Sequence, residues 1–345
     1  MNTNIRKISV SSLSAVAVAM SMMSIAAPAP AAAETKLLFN LFVPVKHPFH
    51  TGMFKPWAAD VEKATNGRVK VDFTTASLAP PPKQWNMVSK GIADVAMLAN
   101  IFERNRLKLP PMAQLPFLGE KARDRSVGLW RTQQKFFAKA NEYKGMKLLG
   151  LWTLSGANFY HGAKPILSLA DLKNEKMWSI AGMPNRMMSE FGAVVVSVPG
   201  VKMFNVVSKG IVNGTTTSTY TLAAFKTMPY IKHATLIPDG LHAVTFSLLL
   251  NQKKWKRLSK ADKAAITSVS GERIAINAGS KTDSLDKKIQ QVAMKKGIKF
   301  HTASPAFVKD MKAMSAHFTA DWIKTAKSRG VDGKAALAYF SAQAK

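Results

Sequence analysis

The stretch KLLFNLFVPVKHPFHTGMFKPWAADVEKATNGRVKVDF, residues 36–73, decides the fold class. Leu37 to Val43 is short, apolar and strand-compatible, and Pro44-Val45-Lys46-His47-Pro48 ends it as a loop. Phe54, Trp57, Ala58, Val61 and Ala64 then recur at helical spacing until Asn66-Gly67 stops them. Val69, Val71 and Phe73 alternate with polar residues, which reads as a second strand. Outward from there the pattern repeats. Pro80-Pro81-Pro82 punctuates, Lys83 to Lys90 reads as a helix, and Ile92 to Leu98 as a third strand with Asp94 near its start. The order β-α-β-α-β predicts a largely parallel sheet with helices on its faces.

Further along, Met112 to Leu118 is a Pro-bracketed loop, Asp124 to Tyr143 a helix, and Lys147 to Leu154 a strand broken by Gly156. A second alternating unit starts there. It reads as a helical turn at Leu169 to Lys173, a strand at Lys176 to Ile180, a helix at Pro184 to Phe191, a strand at Val194 to Val198 and a helix at Phe204 to Lys209. Two α/β units predict a two-lobed protein. Ser259 followed by Asp262 resembles a capping box, and no proline interrupts the chain from there to Lys296. Continuous helix over that range spans ~57 Å, enough to cross both lobes; Gly279 is the point where it divides if it does not stay whole. The C-terminal part, Pro305 to Ala344, reads as one or two amphipathic helices. The expected organisation is a leader over 1–33, lobe I over 34–155 with 245–285, and lobe II over 156–244 with 286–345.

Arg6 and Lys7, the apolar run from Val10 to Ala27 and the small residues up to Ala33 have the order of a secretory signal peptide, with cleavage expected after Ala33. Periplasmic export follows as an expectation. No later segment reaches about 18 uninterrupted apolar residues, so the mature chain is expected to be soluble. The chain contains no cysteine, which excludes disulfides, lipoprotein attachment and thiolate metal sites. Lys and Arg total 49 against 20 acids, a net charge of +29 that attracts anionic partners. The basic residues are nevertheless scattered, and Lys253-Lys254-Trp255-Lys256-Arg257 reads as a solvated helix start rather than a phosphate clamp, so nucleic acid is not an expected partner.

Reactive chemistry is not legible. None of the seven histidines sits in an H-E-x-x-H or comparable spacing, so no metal site is expected. There is no G-x-S-x-G elbow, Walker loop or G-x-G-x-x-G, and no acid–base pair stands out. Thr215 to Thr219 is rich in hydroxyls, but no adjacent His or Lys activates one; its readings are a β-rich hinge segment or a row of hydrogen-bond donors facing a cleft. Binding without catalytic residues or cofactors is the simpler account.

The collinear set of segments resembles the substrate-binding proteins of tripartite ATP-independent periplasmic (TRAP) transporters, the DctP-type family. The residues carrying the likeness include His47-Pro48, Pro56-Trp57-Ala58, Val61 to Val69, Leu78-Ala79-Pro80, Val88 to Val95, Leu115-Pro116-Phe117-Leu118, Lys164-Pro165-Ile166, Leu169 to Lys173, Ser208 to Gly214 and Asn251 to Trp255. The resemblance implies an α/β periplasmic binding protein fold of two lobes, with a ligand cleft between them and a long helix spanning both. It also implies closure around a small organic solute, and delivery to two TRAP membrane subunits. A monomer is expected. Rival expectations are a periplasmic sensor or adaptor on the same fold, and an isomerase or hydrolase built on the scaffold.

The departures bear on the cargo. Family members usually carry an arginine after the Asp-Leu-Lys segment that pairs bidentately with a ligand carboxylate. Here Lys176-Met177-Trp178-Ser179 puts Trp178 in that place. A second family arginine falls near Asn158, the family asparagine near Thr217, and its preceding Asp is Asn213. Two readings follow. In one, Trp178 lines a pocket for an aromatic or weakly charged ligand, with Trp152, Phe159 and Tyr220 as neighbours. In the other, an organic anion is held by Lys46, His47 or Arg186 at the rim. The missing arginine favours the first and the net charge the second; the first is adopted. The expected cleft comprises Lys46, His47, Met97, Trp152, Asn158, Phe159, Trp178, Thr216, Thr217 and Tyr220, with Arg186 at its edge.

Overall fold

The computed structural model describes residues 1–3 and 34–344. The expected leader, apart from its first three residues, and its cleavage after Ala33 lie outside the described residues. In chain order the strands are β1 (Thr35–Asn40), β2 (Val69–Phe73), β3 (Val95–Ala99), β4 (Met146–Thr153), β5 (Asn158–His161), β6 (Lys176–Trp178), β7 (Val194–Val196), β8 (Gly214–Thr217), β9 (His233–Leu236), β10 (Thr245–Asn251) and β11 (Lys299–Thr302). The α-helices are α1 (Lys55–Ala64), α2 (Gln84–Ser89), α3 (Ala122–Thr132), α4 (Met183–Glu190), α5 (Met203–Ser208), α6 (Thr219–Ala224), α7 (Gln252–Arg257), α8 (Lys260–Ser268), α9 (Glu272–Lys295), α10 (Pro305–Ser328) and α11 (Gly333–Gln343). None of the described helices is long and apolar enough to cross a membrane.

Two sheets organise the chain, as the alternating pattern predicts. The first has five strands in the order β2-β1-β3-β10-β4, and the second six in the order β11-β9-β5-β8-β6-β7. β1 runs parallel to β2 and β3, whereas β10 runs antiparallel to both of its neighbours, β3 and β4. The chain leaves the first sheet after β4 and returns only at β10, so the intervening segment, with five of the second sheet's six strands, is an insertion in the first lobe; β11 joins the second sheet after that return. The two connecting segments form a ribbon: Leu154 N–H donates to Val244 O at 3.0 Å, and Ala157 N–H to His242 O at 2.7 Å. Such a pair of strands, crossed by one helix, gives the two-lobed periplasmic binding fold its hinge.

That crossing helix is α9, which packs against α3 and β4 on one side and α6 on the other. It corrects the expected single helix from Ser259 to Lys296. The start is as expected, since the Ser259 side chain accepts from the Asp262 N–H at 3.0 Å. The break falls at Gly271, not Gly279. Gly271 has φ +65°, its N–H donates to Leu149 O at 2.6 Å, and a Cβ there would meet the Trp130 ring at 2.8 Å. A tertiary contact with β4, rather than local propensity, ends one helix and begins the next. What remains is ~36 Å of helix, still enough to reach both lobes.

Gly279 has a different purpose. A Cβ there would lie 2.3 Å from Arg123 Cα and 2.7 Å from Ala122 O, so only glycine lets the start of α3 rest on α9. Gly279→Ala is expected to cost about 1–3 kcal/mol through overpacking against immovable backbone. Chemical denaturation checks this; an unchanged midpoint would show that α3 can retreat freely.

Two further expectations resolve locally. The helix expected from Asp124 to Tyr143 is α-helical only over Ala122–Thr132, then widens into a π-turn at Gln133–Phe137, tightens over Ala138–Ala140 and ends at Asn141 with φ +50°. The basic run at Lys253 is indeed a helix start, α7, capped by Asn251 Oδ1 accepting from the Lys253 and Lys254 N–H groups. The expected lobe boundary at 285/286 lies inside α9, and α11 packs back against α3.

Candidate functional site

The C-terminal ends of β1, β3, β6 and β8 point at one another from the two lobes, which is where open α/β sheets place ligands. They enclose a cavity of about 70 Å³. β1 runs on into the loop carrying Phe42, Val43, His47 and Phe49; β3 supplies Met97 and Ala99; β10 supplies Phe246. From the other lobe come Trp178 and Ile180 after β6, Thr217 at the end of β8, and Tyr220, Thr221 and Phe225 of the following segment. Among the described residues no Asp, Glu, Lys or Arg lines it.

Trp178 is 3% exposed, and its indole N–H donates to Val198 O at 3.1 Å. With that donor already used within its own lobe, the ring face is what it offers the cavity. His47 is 4% exposed. Its Nδ1 accepts the Phe49 N–H at 3.1 Å, which assigns the proton to Nε2, and Nε2 has no partner. Burial lowers its pKa to about 4, so the ring, part of the cavity wall, is neutral near pH 7 with its Nε2–H buried and unpaired. Phe49 and Phe225 flank it at 5.1 and 5.8 Å.

One layer below lies Trp152, fully buried, stacked on Phe246 at 5.6 Å and 16°. Its indole N–H has no partner. Tyr220 is held from behind by α9: its N–H donates to Asp286 Oδ1 at 2.5 Å, and Asp286 Oδ2 accepts from the Ser155 hydroxyl. One turn earlier Asp283 accepts the N–H groups of Ala122 and Arg123 at 2.7 and 3.0 Å. Two carboxylates of α9 thus cap α3 from one lobe and α6 from the other. Burial pushes the Asp286 pKa up to about 7.

Of the expected residues, His47, Met97, Trp178, Thr217 and Tyr220 meet at the cavity, and Trp152 supports it from beneath. Five expected residues lie elsewhere. Phe159 and Thr216 face each other across β5 and β8 and point to the opposite side from Thr217, because side chains alternate along a strand. Phe159 stacks on Phe307 at 6.2 Å, and Thr216 Oγ1 bonds His242 Nε2 at 3.1 Å. Asn158 uses Oδ1 to accept the Ile237 N–H at 2.8 Å and lines a separate pocket with Asp283 and Asp286. Arg186 is on the outer side of α4, over the Phe318 ring at 5.1 Å and 3.9 Å from Asp321. Lys46 lies outside the cavity, in an adjoining pocket.

Sequence reasoning missed Phe49, Phe225 and Phe246. The available signal for Phe49 was an aromatic directly after the His-Pro of a loop that follows a strand's C-terminal end. Among the described residues no group of three or more His, Asp or Glu is arranged to hold a metal.

The model of bacterial extracellular solute-binding protein, family 7 (DctP), matches residues 39–325. The outer membrane transporter protein TsaT of Comamonas testosteroni is 39% identical over 316 residues, 91% of this chain and 93% of that protein. A TRAP periplasmic solute-binding protein of Bordetella bronchiseptica, solved with bound (R)- and (S)-mandelate, superposes with a TM-score of 0.86 at 29% identity, covering 90% of this chain and 98% of its own. A marine metagenome TRAP solute-binding protein specific for aromatic acid ligands, solved with 3-hydroxybenzoate, gives 0.83 at 26% identity, covering 90% and 98%.

Proposed function

The chain belongs to the DctP family of bacterial extracellular solute-binding proteins, and on that premise we propose that it captures a small aromatic or weakly charged organic solute in the periplasm and hands it to TRAP membrane subunits. Capture is by closure of lobe I (34–155 with 245–285) on lobe II (156–244 with 286–345). The ribbon of 154–157 and 241–244 bends while α9 braces both lobes. The ligand favours the closed form because only that form brings Trp178 and Tyr220 against Phe49 and His47. The protein acts as a monomer and leaves its cargo chemically unchanged.

One observation carries this reading: the interlobe cavity is walled by aromatic rings, with no charged side chain among the described residues that line it. A clamp for a small dicarboxylate needs a cation beside it. A flat ring needs apolar faces and a donor for its polar substituent, and His47 Nε2 is such a donor. The mandelate and aromatic-acid specificities of the two related proteins point the same way.

Isothermal titration with mandelate, 3-hydroxybenzoate, benzoate and succinate tests it. Aromatic ligands are expected to bind and succinate not to. Trp178→Ala is expected to weaken aromatic binding about 30-fold, the loss of a buried aromatic anchor. Trp178→Arg is expected to weaken it at least as much. Tighter binding of succinate than of any aromatic, with Trp178→Ala neutral, overturns the reading.

A further inference from the structure

Beside the cavity is a second space of about 480 Å³, and His47 and Tyr220 belong to the walls of both. It is lined by Pro44, Lys46 and Pro48 from the first lobe's loop, Lys226 beyond α6, and Leu285 and Ile289 of α9. We propose that this outer pocket is a distinct anion subsite, and that the ligand is an aromatic acid bound ring-inward with its carboxylate between Lys46 and Lys226. This rests on the aromatic-cavity reading above and adds the orientation and the charge.

Size is the first argument. The inner cavity measures about 70 Å³, whereas an apolar cavity that holds benzene measures about 150 Å³. The ring alone outgrows the inner space, so a bound aromatic acid fills it and extends past His47 and Tyr220, the walls shared with the outer pocket. Charge is the second. A carboxylate pushed inward meets Trp178, Phe49 and Phe246 and no cation, which strongly disfavours it. Turned outward, it passes His47 and Tyr220 and meets the two lysines of the outer pocket. Neither Lys46 nor Lys226 forms an ion pair with a described residue, so both ammonium groups are open to an incoming anion.

The third argument is backbone. Lys226 sits at φ +56°, a left-handed conformation that glycine adopts without penalty. A lysine there points to use of its side chain. The pose reverses the expected family arrangement: Trp178 holds the ring where an arginine usually holds the carboxylate.

The test compares wild type with the double variant Lys46→Ala/Lys226→Ala, using mandelate and 3-hydroxybenzoate as anionic probes and benzyl alcohol as the uncharged one. The two lysines are exposed, so thermal melts of the unliganded proteins should coincide. The double variant is expected to bind the anions roughly tenfold more weakly or worse, as loss of charged hydrogen bonds predicts, and benzyl alcohol within about twofold of wild type. The salt dependence of mandelate affinity should also flatten. Unchanged anion affinity in the double variant overturns the subsite, as does an equal loss for the uncharged probe. If wild type binds none of the aromatic probes, the aromatic-cavity reading itself fails.

Discussion

Asp286→Asn should be increasingly more stable than wild type as pH rises from about 4 to about 8, the gap widening by on the order of 4 kcal/mol. In the folded protein the Asp286 pKa is raised from 3.8 to about 7, chiefly by burial. A carboxyl whose folded pKa exceeds its unfolded value favours folding fully below the unfolded pKa and loses that contribution as pH climbs through the folded one. Above about pH 7 the protein therefore carries a half-buried carboxylate held, among the described residues, by the Tyr220 N–H and the Ser155 hydroxyl. Asparagine keeps both contacts, with Oδ1 accepting from Tyr220 and Nδ2 donating to Ser155, and never ionises. His47 and His242, whose pKa values burial lowers to about 4 and about 3, act in the opposite direction over the same range. They are common to both proteins and cancel in the comparison. Calorimetric melts across the pH series check this, with roughly 2 °C expected per kcal/mol for a chain of this size. A gap that stays constant with pH would falsify the assignment of Asp286 as the group responsible.

Trp152→Ala should cost about 3–5 kcal/mol, the range for removing a fully buried tryptophan. Its ring is stacked on Phe246 and stands edge-on to Phe49 and Phe54, each at 6.1 Å. Phe49 and Phe246 are also cavity walls, so the same variant should lose aromatic ligands even at temperatures where it remains folded. Trp152→Phe separates the two effects. It retains a ring under the cavity and removes an indole N–H that is buried without a partner, so its cost should stay below about 1.5 kcal/mol. Urea titration of the three proteins measures the series. Equal losses for the alanine and phenylalanine variants would mean that the stacked ring is not what supports the wall.

The fold was legible where local chemistry and burial agree. The β-α-β-α-β order from Leu37 to Leu98 is present in the structure, because each strand there shows its own apolar run and each turn a Pro or a Gly. The break at Gly271 was not legible. Its cause is the Leu149 carbonyl and the Trp130 ring, which belong to other elements. At the site, His47, Trp178, Thr217 and Tyr220 could be placed because each ends or follows a strand, and Met97 because it lies within one. Phe159 and Thr216 were misplaced by a single step of strand parity, which a short run such as Thr215 to Thr219 does not display in its residue types. Phe246 was beyond reach for a topological reason: it enters the cavity wall from a strand that returns after five strands of the second sheet.

That return has a kinetic meaning. β10 occupies the position between β3 and β4, so the first sheet cannot zip together from its own consecutive strands. Until the last residues of the insertion arrive, β3 and β4 face a gap, each with an unpaired edge open to misassociation. The entropic cost of closing so long a loop falls sharply if the inserted segment β5–β9 condenses first, because its two ends then emerge side by side at Leu154 and Val244. Refolding should accordingly be sequential: β5–β9 condense, β10 then closes the first sheet, and β11 adds to the edge of the second sheet last.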